Sequence, residues 1–396
     1  MKWFASSTNG KKFLLIDIAS DSVGAGLVAM FPNAKPTLLF TVRESIVCAP
    51  RLEPKHFFSA TLHALNELCK HLFQTHSIDI AGIGQTHIFL HAPWVVSKMR
   101  SVRTDFPEVT TLTPDALASV IQAAEKGIAE NFRAAHREVA ETVRVVEKKI
   151  TEFRVNGYAV TSAAGKEART LELTMLESFA PENAVTRFGN ALDALPKTPR
   201  EWHGAAAACA GALSALAHEQ EDALTVCAGS EVTEVCIERG SVLQEVISIP
   251  FGIRTAARVL CSNGVFSSTT SAESFLRATS LSSLAEKRRA QIETALRLQS
   301  ERFRRALAIA LLPKIKAGFT PMRAALLADE RNLTFFDAAL RAPLFDAGEA
   351  ECNIVFSVFG AGAFSTSLQM VRAATPDTYL SGEAVFTALY ENGKKS

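Results

Sequence analysis

Apolar and polar positions along the chain repeat one order of elements twice. Lys12 to Met30 reads as an apolar strand, a polar tight turn and a second apolar strand, FLLIDIASDSVGAGLVAM, with Asp17 at the end of the first strand. This pattern predicts a β-hairpin. After the turn from Pro32 to Pro36, TLLFTVRESIV predicts a third strand, and Pro54 opens a segment whose Phe57, Leu62, Leu65, Leu68 and Leu72 have helical spacing. From Ala223 the opening order returns. ALTVCAGSEVTEVCIERGSVLQEVISIPFG is strand, small-residue turn, strand, turn at Arg239 and Gly240, strand, and it stands 210 positions on, from Asp17 to Cys227. Internal duplication of this kind predicts a two-lobed fold.

Between the two hairpins the pattern differs. The apolar run IDIAGIGQTHIFLHAPWVV reads as strand, and Thr113, Pro114 and Asp115 start a long Ala- and Glu-rich helix. Two further strands follow, VRVVEKKITEFRV and ARTLELTMLESF, joined by a turn at Asn156 and Gly157 and a loop at Gly165. Together they predict a small α+β module inserted into the first unit. A helix near Pro181 to Ala194 and an Ala-rich helix around Gly204 to His218 lead out of it. The stretch 267–345 reads as mostly helical, and its charged helix from Ser283 to about Leu312 presents a solvated face. CNIVFSVFGAGAFSTSLQM reads as a buried strand that breaks at Gly360 and Gly362 into a helix, and the last residues, LYENGKKS, are polar.

Composition narrows the classes. With 396 residues, 48% of them hydrophobic, the chain can bury the cores of two or three domains. Forty-two Lys and Arg balance 41 Asp and Glu, and no stretch is dominated by basic residues, which argues against a nucleic-acid partner. The mean hydropathy is +0.13, yet no apolar run reaches the roughly 18 residues of a spanning helix. The apolar run before Asp17 is also too short for a signal-peptide core. Seven cysteines, at 48, 69, 209, 227, 236, 261 and 352, form no CxxC or Cys/His cluster, as expected of reduced, buried thiols in a cytoplasmic protein.

Three small-residue turns after apolar strands carry the candidate chemistry: DIASDSVGAG at 17–26, CAGSEVTEV at 227–235 and FGAGAFS at 359–365. Small residues at a strand end let backbone N–H groups approach an anion, and Ser20, Ser22, Ser230 and Thr233 add hydroxyl donors. A carboxylate such as Asp17 beside such a turn can hold the waters of Mg²⁺. His87 and His91 have i, i+4 spacing, but in a strand they stand about 13 Å apart, so a structural role is expected of them. The helix around Arg297 to Arg305 interleaves Glu293 and Glu301 and reads as salt-bridged. Trp94, after Pro93, reads as a packing anchor between the inserted module and its neighbour.

In their order these turns resemble the actin, Hsp70 and sugar-kinase fold, and within it the FtsA and PilM branch. The first-hairpin motif of that family, Asp-x-Gly-Ser/Thr, is matched by Asp17, Ile18, Ala19 and Ser20. The second, Asp-x-Gly-Gly-Gly-Thr-Thr-Asp/Glu, is matched from Cys227 through Gly229, Ser230, Glu231 and Thr233 to Glu234, followed by Gly240 and by IPFG at 249–252. The adenosine motif resembles Gly360, Ala361, Gly362 and Ala363, and EKKITEFRVNGYAV with LELTML has the order of the family's inserted module. The resemblance spans nearly the whole chain. It implies an α/β, duplicated two-lobed fold: a first lobe over 1–82 and 178–221, an inserted SHS2-like module over 83–177, a second lobe over 222–265 and 346–396, and a mostly helical subdomain over 266–345.

It also implies ATP and Mg²⁺, with Asp17, Ala19, Ser20, Ser22, Gly229, Ser230, Thr233, Glu234, Gly360 and Gly362 around the nucleotide and Asp17 toward the metal. Four departures point to weak or absent hydrolysis. Ala19 replaces a glycine, Gly24 stands where several relatives carry Lys or Arg, and Cys227 replaces the aspartate that organises Mg²⁺. Glu231 adds a carboxylate that must point away, because at about 4 Å from phosphate it is repelled by several kcal/mol. Glu234 matches the family's second acidic position, and on strand alternation it is equally a solvated residue.

The role implied is that of a cytoplasmic adaptor. In the family, FtsA links a division polymer to the membrane, and PilM binds the cytoplasmic tail of an inner-membrane pilus protein. The terminal GEAVFTALYENGKKS is too short and mixed for a strong membrane anchor. This favours the PilM-like role, at the inner membrane through a partner. An FtsA-like division protein, an active ATPase or small-molecule kinase, and a scaffold without nucleotide are the alternatives, and self-association is open.

Overall fold

Lys11–Ile18 (β1) and Ser22–Met30 (β2) pair antiparallel with Asp17 opposite Gly24, and Thr37–Ser45 (β3) extends the sheet with Arg43 opposite Gly24. The computed structural model describes residues 10–47, 49–76, 80, 82–135, 142–217, 221–278, 285–345, 354–372 and 374–394. Pro54–His76 (α1) buries Leu62, Leu65, Leu68 and Leu72 as their spacing requires, and Gln85–Leu90 (β4) then runs parallel to β1. The inserted module comprises Val96–Thr111 (β5), Pro114–Ala135 (α2), Val143–Val155 (β6), Tyr158–Val160 (β7) and Glu167–Pro181 (β8), in sheet order β5-β8-β6-β7. Asn156 and Gly157, both at positive φ, close the β6–β7 hairpin. The chain returns to the first lobe through Glu182–Ala191 (α3), Arg200–Gly204 (β9) and Ala205–Leu216 (α4).

The second lobe repeats the first. Ala223–Ala228 (β10), Thr233–Arg239 (β11) and Val242–Ile249 (β12) form the antiparallel triplet, with Cys227 opposite Glu234 as Asp17 is opposite Gly24. Four helices follow with a strand among them: Ile253–Ser262 (α5), Thr269–Leu276 (α6), Glu286–Lys316 (α7), Arg323–Ala328 (β13) and Glu330–Leu340 (α8). Phe356–Phe359 (β14), Gln369–Met370 (β15) and Thr378–Gly393 (α9) complete the described chain. The two large sheets have the orders β15-β3-β2-β1-β4-β9 and β12-β11-β10-β13-β14. The shared run of three antiparallel and two parallel strands confirms the duplication.

Alternation along the strands divides the core. Leu14, Ile16 and Ile18 face α1 and α3, whereas Leu15 faces a central layer built on α4 and α9. In the second lobe Leu224, Val226 and Ala228 face the α5–α8 side, and Cys227 faces the same central layer. The module has its own small core around Leu171, Leu173 and Met175.

Several elements depart from the sequence reading. β5 was not foreseen, because its charged alternation and Pro107 hide a 16-residue strand. β9 is a short strand between two segments read as helices, and β13 lies within the stretch read as mostly helical. β14 is a half-exposed edge strand, not a buried one, and the turn after it is a single 3₁₀ segment, Ala361–Phe364. The polar end from Leu389 to Gly393 continues α9 as its last, mostly exposed turn, while Thr378 to Ala388 of the same helix are buried. Cys69, Cys209, Cys227 and Cys236 are free and buried and Cys261 is half-buried, while Cys48 and Cys352 lie outside the described residues. Among the described residues no helix is long and apolar enough to cross a membrane.

Candidate functional site at the cleft between the lobes

The β1–β2 and β10–β11 turns face each other across the gap between the lobes, and each is held in shape locally. Ala19 N–H donates to Ser22 O at 3.0 Å, and Trp94 Nε1–H donates to Ala19 O at 3.2 Å. Trp94 itself stacks on Phe57, with ring centroids 4.8 Å apart, so it anchors the first lobe's own core. In the second turn, a Cβ on Gly229 would lie 2.3 Å from Val232 O, and one on Gly252 would lie 2.3 Å from Ser230 O. Both glycines are there because backbone passes too close for a side chain.

The two turns bond to each other. Glu231 N–H donates to Ser20 Oγ at 3.1 Å. Arg254, buried on α5, donates to Ser20 O at 3.1 Å and to Ile46 O, and pairs with Glu273 at 3.2 Å. Glu231 turns away from the gap as its charge requires and pairs with Arg258. On the first-lobe side Arg43 donates to Asp17 Oδ2 at 2.6 Å, to Asp377 Oδ2 at 2.7 Å and to Ser22 Oγ at 3.0 Å. Its guanidinium lies over Gly24, so the cation missing at position 24 arrives from the paired strand.

Ala19, Ser20, Ser22, Gly229, Ser230 and Glu234 line one cavity, together with Arg43, His91, Asp329 and Tyr379. Its volume is about 20 Å³, room for about one water. Asp17 and Thr233 stand behind it: Asp17 is fully buried against Arg43, and Thr233 Oγ1 donates to Phe251 O at 2.8 Å. Gly360 and Gly362 do not line it. Gly360 precedes the 3₁₀ turn and Gly362 lies within it, and Ala361 N–H donates to Glu330 Oε1 at 3.4 Å.

The sequence reading missed Arg43, Arg254, Asp377 and Glu383, and gave His91 a structural role alone. Pairing β3 against β2 would have found Arg43, since it stands opposite Gly24. His91 sits just past β4, with Nε2 2.8 Å from Asp17 Oδ1 and 3.7 Å from Glu383 Oε1. Burial opposes its charge, yet Asp17 beside it raises its pKa well above the ordinary range. Asp17 is held low against its own burial by His91 and Arg43, whereas burial and then Asp17 push Glu383 up. Burial also raises Glu234, which accepts from Ala92 N–H at 3.1 Å. His87 has the structural role expected of it, bonded through Nδ1 to His203 Nε2 at 3.0 Å in the interior.

A nucleoside triphosphate does not fit this arrangement. Nucleotide-sized pockets run to roughly 300 Å³ and more, the Glu231 N–H of one turn is spent on Ser20 Oγ of the other while the Ser22 and Thr233 hydroxyls donate to Asp21 and to Phe251 O, and Asp21, Glu234 and Asp329 face the remaining space. Cys227 is neutral there, its thiol pushed far above the usual range by burial and by Glu234.

No family model and no curated protein matches the chain. Among solved structures, the chain is similar to the "PilM-PilN type IV pilus biogenesis complex", with a TM-score of 0.66 at 15% identity over 96% of this chain and 98% of that one. The chain has the actin-like ATPase fold. It also aligns with a diol dehydratase-reactivating factor in nucleotide-free form, at a TM-score of 0.48, 9% identity and coverage of 98% and 100%. A third similar structure is the ethanolamine utilization protein EutJ from Carboxydothermus hydrogenoformans, at 0.43, 12%, and 96% and 92%. Within the actin-like fold the cleft described here is the gap between the duplicated lobes, and in this chain it is closed by the chain's own side chains.

Proposed function

We propose that the chain is a PilM-type adaptor of an inner-membrane assembly, which binds a segment of a partner protein and does not cycle nucleotide. The observation that carries this reading is the bonding of the two phosphate-type turns to each other, which turns the nucleotide cleft into a clamp between the lobes. The partner's place is a second, larger cavity. A groove of about 510 Å³ runs between β6 of the inserted module, α4, the β11–β12 hairpin and α9. Ile150, Leu176, Leu243 and Phe386 give it an apolar floor, and Lys149, Glu238 and Lys394 supply polar points. This combination suits an extended or helical peptide with a few charged side chains. Location at the inner membrane, through such a partner, belongs to the same reading.

The test is isothermal titration of the whole chain with the cytoplasmic tail of the pilus inner-membrane protein and, separately, with Mg-ATP. The tail is expected to bind and Mg-ATP to give no heat at millimolar concentration. Gly211 lines the groove and a Cβ there meets nothing within 4 Å, so Gly211→Trp fills the groove without disturbing the core and should abolish tail binding. Turnover of ATP by the wild-type chain, or undiminished tail binding by Gly211→Trp, refutes the reading.

A further inference from the structure

The end of β1, the residue after β4 and the middle of α9 converge on one buried point. Asp17 Oδ1, His91 Nε2 and a Glu383 oxygen all lie within 4.8 Å of one another, and none of the three residues is more than 7% exposed. Although His91 Nε2 comes within 2.8 Å of Asp17 Oδ1 and 3.7 Å of Glu383 Oε1, neither approach has hydrogen-bond geometry. Asp17 Oδ1, His91 Nε2 and both Glu383 oxygens are therefore buried without a hydrogen-bond partner. Such atoms are costly to leave unpaired.

We infer that Asp17, His91 and Glu383 form a binding site for a divalent transition ion of the zinc type, which ties α9 to the first lobe. Zinc takes imidazole and carboxylate ligands at about 2.0–2.2 Å, which sets tetrahedral ligand atoms roughly 3.3–3.6 Å apart, and the observed 2.8 and 3.7 Å bracket that spacing. Each of the three residues offers one ligand atom, and three protein ligands are the number at which zinc keeps one position open. The imidazole selects this class of ion over Mg²⁺, which prefers oxygen and water. Arg43 on the other oxygen of Asp17 and the edge-on Tyr379 ring, 4.6 Å from the His91 ring, hold two ligands in place. A second cluster, His87, Glu201 and His203, already has a cation in the Lys394 ammonium, 2.6 Å from Glu201. The ion site is independent of the adaptor role and of any nucleotide.

The whole chain, stripped of metal, is titrated with Zn²⁺ against a competing indicator, and its thermal midpoint is followed with Zn²⁺ and with Mg²⁺. One equivalent of Zn²⁺ should bind and raise the midpoint, with no response to Mg²⁺. Glu383→Gln and His91→Gln should each weaken binding by at least roughly tenfold, whereas His203→Gln should not. Circular dichroism establishes that each variant is folded, and the nearly isosteric Glu383→Gln is the variant expected to fold in any event. The inference fails if Zn²⁺ neither binds nor shifts the midpoint, if Mg²⁺ acts equally, or if folded Glu383→Gln binds Zn²⁺ as the wild type does.

Discussion

Glu238 lies on β11 with 2% of its surface exposed, accepting a hydrogen bond from Ser214 Oγ at 2.8 Å. Burial pushes its pKa from 4.5 up to about 6, against the pull of Ser214 and Arg323. Folding therefore favours the protonated acid. The stability this confers is complete below pH 4.5 and is lost as the pH rises through about 6. Glu238→Gln should accordingly stabilise the fold at pH 7.5 by up to about 2 kcal/mol and give no gain at pH 4. Urea unfolding at the two pH values checks this, and an equal gain at both would assign the effect to packing. At the same scale the limits of a sequence reading are visible. Glu231 could be foreseen to turn away from the gap, because a carboxylate in an anion-type turn has few alternatives. Its partner Arg258, and the clamp residue Arg254, lie on α5 with nothing local to mark them, since their meaning comes from contacts made across the lobes.

Helix α9 shows how packing overrides local pattern. Its sequence mixes polar and apolar residues, yet Thr378, Ser381, Glu383 and Thr387 are as fully buried as Leu380 and Ala384. The helix lies between the two large sheets beside α4, so it has no solvent face over most of its length. Gly382 marks the closest approach: a Cβ there would meet Cys209 Sγ at 3.1 Å and Phe364 Cζ at 3.2 Å. Gly382→Leu should cost about 1–3 kcal/mol by overpacking, outweighing the ~1 kcal/mol that removing a helix glycine returns. Chemical denaturation measures the difference, and a neutral or stabilised variant would show that the α4–α9 seam yields. The hairpins and α1 were legible because alternation and helical spacing were imposed by one buried face. α9 and β5 were not, the first having no exposed face to create a period and the second carrying charge on both.

The whole molecule is held shut by few groups relative to its size. Arg254 reaches from α5 to two carbonyls of the first lobe, those of Ser20 and Ile46, while pairing with Glu273 in its own lobe. Arg254→Met keeps the apolar stem but removes every one of these bonds, leaving Glu273 with Arg277 alone at 3.2 Å. Faster hydrogen exchange at the β1–β2 turn and a lower unfolding midpoint are expected, on the order of 3–5 kcal/mol for a broken buried pair. Unchanged exchange at Ser20 would mean that Arg43, the Glu231–Ser20 and Ala92–Glu234 bonds and the central layer suffice to keep the lobes together. The two-residue strand β15 adds something else. Gln369–Met370 pairs with Thr37–Leu38 of β3, and α9 follows only after it, so the sheet opened by β1 is finished by a strand that comes after the whole second-lobe triplet. During synthesis the first lobe thus stays incomplete, with the edge of β3 uncovered, until the ribosome has passed Met370 and the whole second-lobe triplet and its helices have been made.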